Sequence, residues 1–211
     1  MSSHYLYEKW KGLTRQAPPE KAERCWQRLQ AAYSEPHRRY HNLEHLNRMF
    51  RWFDAYVERL RQPQAVQWAI FYHDAVYRPG EPDNEEQSAR LAEAVLRELE
   101  LDEVLISPVR ALILATRDHY AGGERSGDGA YFLDFDLGIL AVDQQEYAAY
   151  VQAVRQEYEA VPDEAFRAGR TAFVHRLLQQ PHLFFTPEFR AKEEQARANL
   201  TFELQECLWH S

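Results

Sequence analysis

The chain has 211 residues, 45% of them apolar, enough to bury an ordinary core. A formal net charge of −8 offers no overall positive field for bulk nucleic-acid binding, and no apolar run approaches the roughly 20 residues that a membrane span needs. Glycine is scarce, 8 of 211, and the ten prolines sit mostly between apolar-periodic stretches rather than at hairpin spacing, which argues against a β-sandwich.

Composition is even from end to end, without repeats or Gly/Ser linkers, so one domain is expected over residues 1–211. The first clear helix runs from Glu20 to Tyr33, with Ala22, Cys25, Trp26, Leu29 and Tyr33 on one face and Pro18 and Pro19 ahead of its first turn. The next carries Leu43, Leu46, Phe50, Phe53, Val57 and Leu60 at alternating steps of three and four, with Asn42 placed to cap it. From Ala65 to Tyr72 the sequence is apolar nearly all round, and its length and alanine content predict a buried central helix rather than a strand. Residues 75–85, with Pro79, Gly80, Pro82 and Asn84, predict a loop directly after it.

Helices are then expected over Glu85–Glu100 and over Ser107–Thr116, the latter capped by Ser107 with Pro108 in its first turn. Residues 121–130 hold four of the eight glycines and read as a loop, and helical spacing resumes at Asp134. Three more helices follow: Glu146–Glu159, Asp163–Leu178, and one from Thr186 through Leu208. The prediction is an all-α bundle of roughly eight to nine helices. The two cysteines, Cys25 and Cys207, have neither redox nor zinc-ribbon spacing, and no secretion signal is evident, so the reducing cytoplasm is the expected location.

Against this frame three groups of polar residues stand out. His41 and His45 lie four apart at the head of one helix, so they share a face if its first turn extends that far. His73 and Asp74 close the buried helix, where an unpaired carboxylate costs several kcal/mol unless neutralised or bound to a cation. Asp134 and Asp136 sit in the apolar run FLDFDLGIL. Two residues apart on a helix face nearly opposite sides, so only one of them reaches a shared ion; Asp134 is the expected cap and Asp136 the buried carboxylate. Imidazole with carboxylate and no thiolate suits one divalent ion of the Mn, Fe, Co, Ni, Zn or Mg group.

The order H…HD…D on an all-helical chain resembles the HD-domain superfamily of metal-dependent phosphohydrolases. RRYHNLEH, FYHDAVY, NEEQSA, LDFDLGIL and VRQEY together are similar to a bacterial HD phosphohydrolase family over nearly the whole chain. YHNLEH is also similar to the opening motif of cyclic-nucleotide phosphodiesterases, in which the first histidine is an acid and the second a metal ligand. The resemblance implies an HD/phosphodiesterase-like bundle with His45, His73, Asp74 and Asp136 as metal ligands and His41 as a general acid or phosphate contact; under the simpler HD pattern His41 is the ligand instead.

Where several HD nucleotidases place a glutamate three residues after the HD aspartate, this chain has Tyr77, which moves the expectation for an acid to Glu85 or Glu86, or to His41. His119 stands where two-metal HD proteins supply an extra histidine, without a second one after it, so one ion is expected. Arg117 and Arg170 are candidate phosphate contacts, and Tyr40, Tyr72 and Tyr77 are candidates to stack a base. The function implied is hydrolysis of a nucleotide or other small phosphate ester by a metal-activated water. A non-catalytic metal or nucleotide sensor on the same fold is the alternative.

Overall fold

The computed structural model describes residues 2–120 and 126–206. Among them there are eleven α-helices, short 3-10 turns and no strand. The fold is all-α as the periodicity predicts, with more helices than the eight or nine expected. The first, α1 (Ser2–Leu13), buries Leu6, Trp10 and Leu13, a stripe too short to stand out in the sequence. Next come α2 (Pro19–Ala32), α3 (Leu43–Tyr56) and α4 (Pro63–Tyr72). Asn42 caps α3 as expected, its side-chain oxygen accepting from the Glu44 N–H at 2.9 Å.

Seven of the ten residues of α4 are buried, from Ala65 to Tyr72, and it packs against α3, α5 (Asn84–Glu98), α6 (Ile106–Ala115) and α7 (Gly127–Leu137). This is why its apolar positions show no single face. Trp10 locks α1 onto it through edge contacts with Trp68 and Phe71, ring centroids 5.3 and 5.5 Å apart. Because α4 lies at the centre, its C-terminal residue pair, His73-Asp74, emerges inside the bundle.

Several boundaries differ from the sequence reading. Ser107 caps nothing: α6 starts at Ile106, behind a 3-10 turn whose own cap is Asp102, and Ser107 lies within the helix. Helix α7 begins at Gly127 rather than near Asp134, so both aspartates are interior to it and Asp134 is no cap. After α7 come α8 (Gln144–Glu157), capped by Asp143, and α9 (Asp163–Leu178), and the last expected helix divides into α10 (Pro187–Arg190) and α11 (Glu193–Glu206). Cys207, Leu208 and the first part of the glycine-rich stretch, 121–125, lie outside the described residues. No described helix is long and apolar enough to cross a membrane.

The turn after α7 is packed as tightly as its glycine allows. A Cβ on Gly138 would meet Trp52 Nε1 at 2.7 Å and the Phe189 ring at 3.5 Å. Gly138→Ala should therefore lower stability by about 1–3 kcal/mol, read as a lower midpoint in urea with an unchanged slope.

Candidate metal centre

Three helices deliver the polar residues to one place. The first turn of α3 supplies His45, the end of α4 supplies His73 and Asp74, and α7 supplies Asp136. The two imidazoles face each other, His45 Nε2 to His73 Nε2 at 3.0 Å. Asp136 Oδ1 lies 3.3 Å from His45 Nε2 and 3.7 Å from His73 Nε2, while Asp74 Oδ2 lies 3.1 and 3.8 Å from His73 and His45. His45 and His73 are about 1% exposed.

His45, His73 and Asp136 form a group that could hold a metal ion, their ligand atoms all within 4.8 Å of one another. The donor chemistry fits. His73 Nδ1 donates to the Ile70 carbonyl at 3.0 Å, which fixes its proton there and aims the Nε2 lone pair into the cluster. Two facing Nε2 atoms cannot both keep lone pairs 3.0 Å apart without a shared proton or cation between them. In the protein alone a proton serves: burial disfavours a charged His73, but Asp74 and Asp136 outweigh it and push its pKa up to about 9. Burial holds His45 below its usual value against the pull of Asp136. Both carboxylates sit well below the ordinary range despite burial, because of the imidazoles around them, including His119 beside Asp136.

The expected split between the two α7 aspartates is what the helix geometry produces. Asp134 faces the other way and is fully buried, accepting from the Phe185 and Thr186 N–H groups at 2.8 Å and from the Thr186 hydroxyl at 2.6 Å. It pins the 185–186 segment to α7. Burial raises its pKa to about 6 even with those three donors. Asp136 Oδ2 takes His119 Nε2 at 2.8 Å, which brings the predicted extra histidine against the cluster.

His41 stands at the edge of this group, its Nδ1 donating to Glu157 Oε2 at 2.6 Å. Glu157, the last residue of α8, is wholly buried in its side chain. Its other oxygen accepts three backbone N–H groups, of Arg39, Tyr40 and His41, each at 2.8 Å, and the Tyr77 hydroxyl donates to Oε2 at 2.9 Å. Those donors outweigh burial and hold the Glu157 carboxyl down at about 2. This glutamate lies in the motif VRQEY, but the motif alone gives it no role, because its partner His41 is 116 residues away. Arg38 completes the frame, donating to the carbonyls of His41, Asp74 and Ala75 and so tying the His41 turn to the HD turn.

A cavity of about 680 Å³ opens over the cluster, lined at this end by His41, Asp74, Tyr77, Glu85, Arg117, His119 and Asp136. Glu85 is thus on the cavity wall, with Arg117 at 3.9 Å, but the group bonded to His41 is Glu157. Glu86 is engaged with Arg110 at 2.8 Å. Arg170 is a structural arginine, its Nε and Nη2 donating to Glu203 at 2.6 and 3.1 Å. Tyr72 belongs to the core, packed on Trp10 and Trp68, and stacks nothing in the cavity. No protein-family model matches the chain, and no curated protein or solved structure matches it.

The two aspartates separate in one experiment. Asp136→Asn should abolish stoichiometric binding of a divalent ion, measured by elemental analysis after dialysis, at little loss of stability. Asp134→Asn should keep the ion and lose about 1–3 kcal/mol, because an amide cannot accept from all three donors. Equal metal content in both variants would overturn the assignment.

Proposed function

We propose that this chain is an HD-type phosphohydrolase that cleaves a nucleotide or another small phosphate ester. The observation that supports this best is the pairing of a His/Asp cluster with a separately held histidine on the wall of one cavity: His41 on the buried Glu157 carboxylate. A module that only binds a metal has no need of a second imidazole fixed by its own carboxylate.

In this reading His45, His73, Asp74 and Asp136 hold a divalent ion. When bound, the ion supplies positive charge for the phosphoryl oxygens and lowers the pKa of a water. It also explains how a chain of net charge −8 accepts an anionic substrate. The residues of the chain do the rest. Asp74 orients the attacking water on the cavity side of the cluster. As the phosphorus–oxygen bond to the departing alcohol breaks, His41 Nε2 gives its proton to that oxygen, while Glu157 stabilises the imidazolium through Nδ1. Tyr77, in the place of the expected glutamate, helps to fix Glu157. His119 holds Asp136 in orientation, and Arg117 is within reach of a phosphoryl oxygen from the rim.

Two outcomes are expected of the histidines. His45→Ala should lose the metal and all turnover; His41→Ala should keep the metal and lose rate by about 100-fold or more in a screen of nucleotides and small phosphate esters. Metal binding without turnover of any ester in the parent protein would establish the sensor alternative instead.

Glu157→Gln tests the proton donor. The carboxylate raises the His41 pKa, so the rate carried by protonated His41 is lost as pH rises through that raised value. Without the charge the same fall should come at lower pH in the profile of kcat/KM.

A further inference from the structure

The cavity is not uniform. Beyond the metal end its wall changes character: Tyr150, Val154, Tyr158, Val161, Phe166 and Phe173 line the other half. Val154 and Phe166 do not join the main core but form a small apolar cluster of their own, with Tyr158 and Val161 packed against it. Among the described residues that line this half, the cation is Arg170, which is committed to Glu203 and stacked on the Tyr150 and Phe173 rings at 5.3 and 5.0 Å; behind the wall, Arg155 stacks on Phe166 at 4.9 Å and pairs with Asp163, and Arg176 lies over Phe173 at 5.8 Å. The described lining of this end therefore offers rings and aliphatic surface, and its one lining cation is already paired with a carboxylate.

Helix α9 supplies one side of it. Phe166, Gly169, Arg170 and Phe173 recur at the spacing of a single helix face, so position 169 faces the same space as its neighbours. A Cβ on Gly169 would meet nothing within 4 Å. A glycine in the interior of a sixteen-residue helix is unfavourable for the helix itself, and here the position is exposed on the cavity wall with open space beside it.

We propose that this aromatic end is a subsite for the organic part of the substrate, and that this part is an uncharged, flat, ring-bearing group. Only the identity of the polar end, one phosphoryl group, rests on the phosphohydrolase reading; the ring subsite stands on the cavity wall alone. Flat rings bury large area against aromatic walls and gain from offset or edge contact with them, which an open-chain polyol cannot do. Gly169 would then set the depth of the subsite.

The test uses the full chain and the uncharged probe 1-naphthol, titrated by fluorescence with and without Mn²⁺. Saturable one-to-one binding is expected in both conditions, at least 10-fold weaker in Gly169→Leu. That variant fills open space and removes a helix-interior glycine, so its circular dichroism and melting temperature should be unchanged or raised. With Mn²⁺, 1-naphthyl phosphate should exceed glycerol phosphate in kcat/KM by at least 10-fold, and Gly169→Leu should narrow that gap. Absence of saturable naphthol binding, or equal binding by a folded Gly169→Leu protein, would overturn the subsite. Naphthol binding that Gly169→Leu weakens, without turnover of any phosphate ester, would support the subsite and overturn the hydrolase reading.

Discussion

Everything at the site depends on two buried charges that never touch each other. Glu157 gathers the N–H groups of Arg39, Tyr40 and His41, and Arg38 gathers the carbonyls of His41, Asp74 and Ala75. Between them the irregular backbone from 38 to 42 has its N–H donors satisfied without regular secondary structure. The turn is thereby set at one height relative to α4 and α8. Since Asn42 in that turn caps α3, the position of His45 follows from the same two side chains.

The cluster itself shows how charge balance is arranged inside an apolar bundle. Asp74 and Asp136 are surrounded by the imidazoles of His45, His73 and His119. Such a set is stable as a hydrogen-bonded group and equally suited to exchange its protons for a divalent ion, because ligation requires neutral imidazoles and ionised carboxylates. Rigidity comes from outside the cluster: Ile70 orients His73, and Asp134, one face round the helix from Asp136, anchors α7 to the 185–186 segment.

Local features were legible in the sequence and distant pairings were not. The period of Leu46, Phe50 and Phe53 defines α3, and the all-round apolar run to Tyr72 marks α4 as central, because burial pattern is a property of neighbouring residues. That Asp134 and Asp136 face opposite ways follows from their spacing, whereas the expected capping role of Asp134 does not hold, because its partners at 185–186 lie about fifty residues away. The start of α7 was not legible: Gly127 and Gly129 suit a loop by propensity, and packing of the following aromatic residues overrides them. Glu157 was missed for a different reason. Nothing near it in the chain distinguishes a buried glutamate from a solvated one at a helix end, and its meaning comes only from residues 39–41 and 77.

Those contacts reach across 80 to 118 positions of sequence, in a molecule whose helices are otherwise made of local bonds. Helices nucleate and pair quickly, whereas closing loops of that length must wait until the elements between are ordered. The turn that carries His41 is held by α8 and the HD turn rather than by its own neighbours in the chain. Any motion that undocks α8 would leave His73 and Asp74 at the end of α4 but release the hold of Glu157 on His41, so the two parts of the site are separable in a way the two ends of one helix are not.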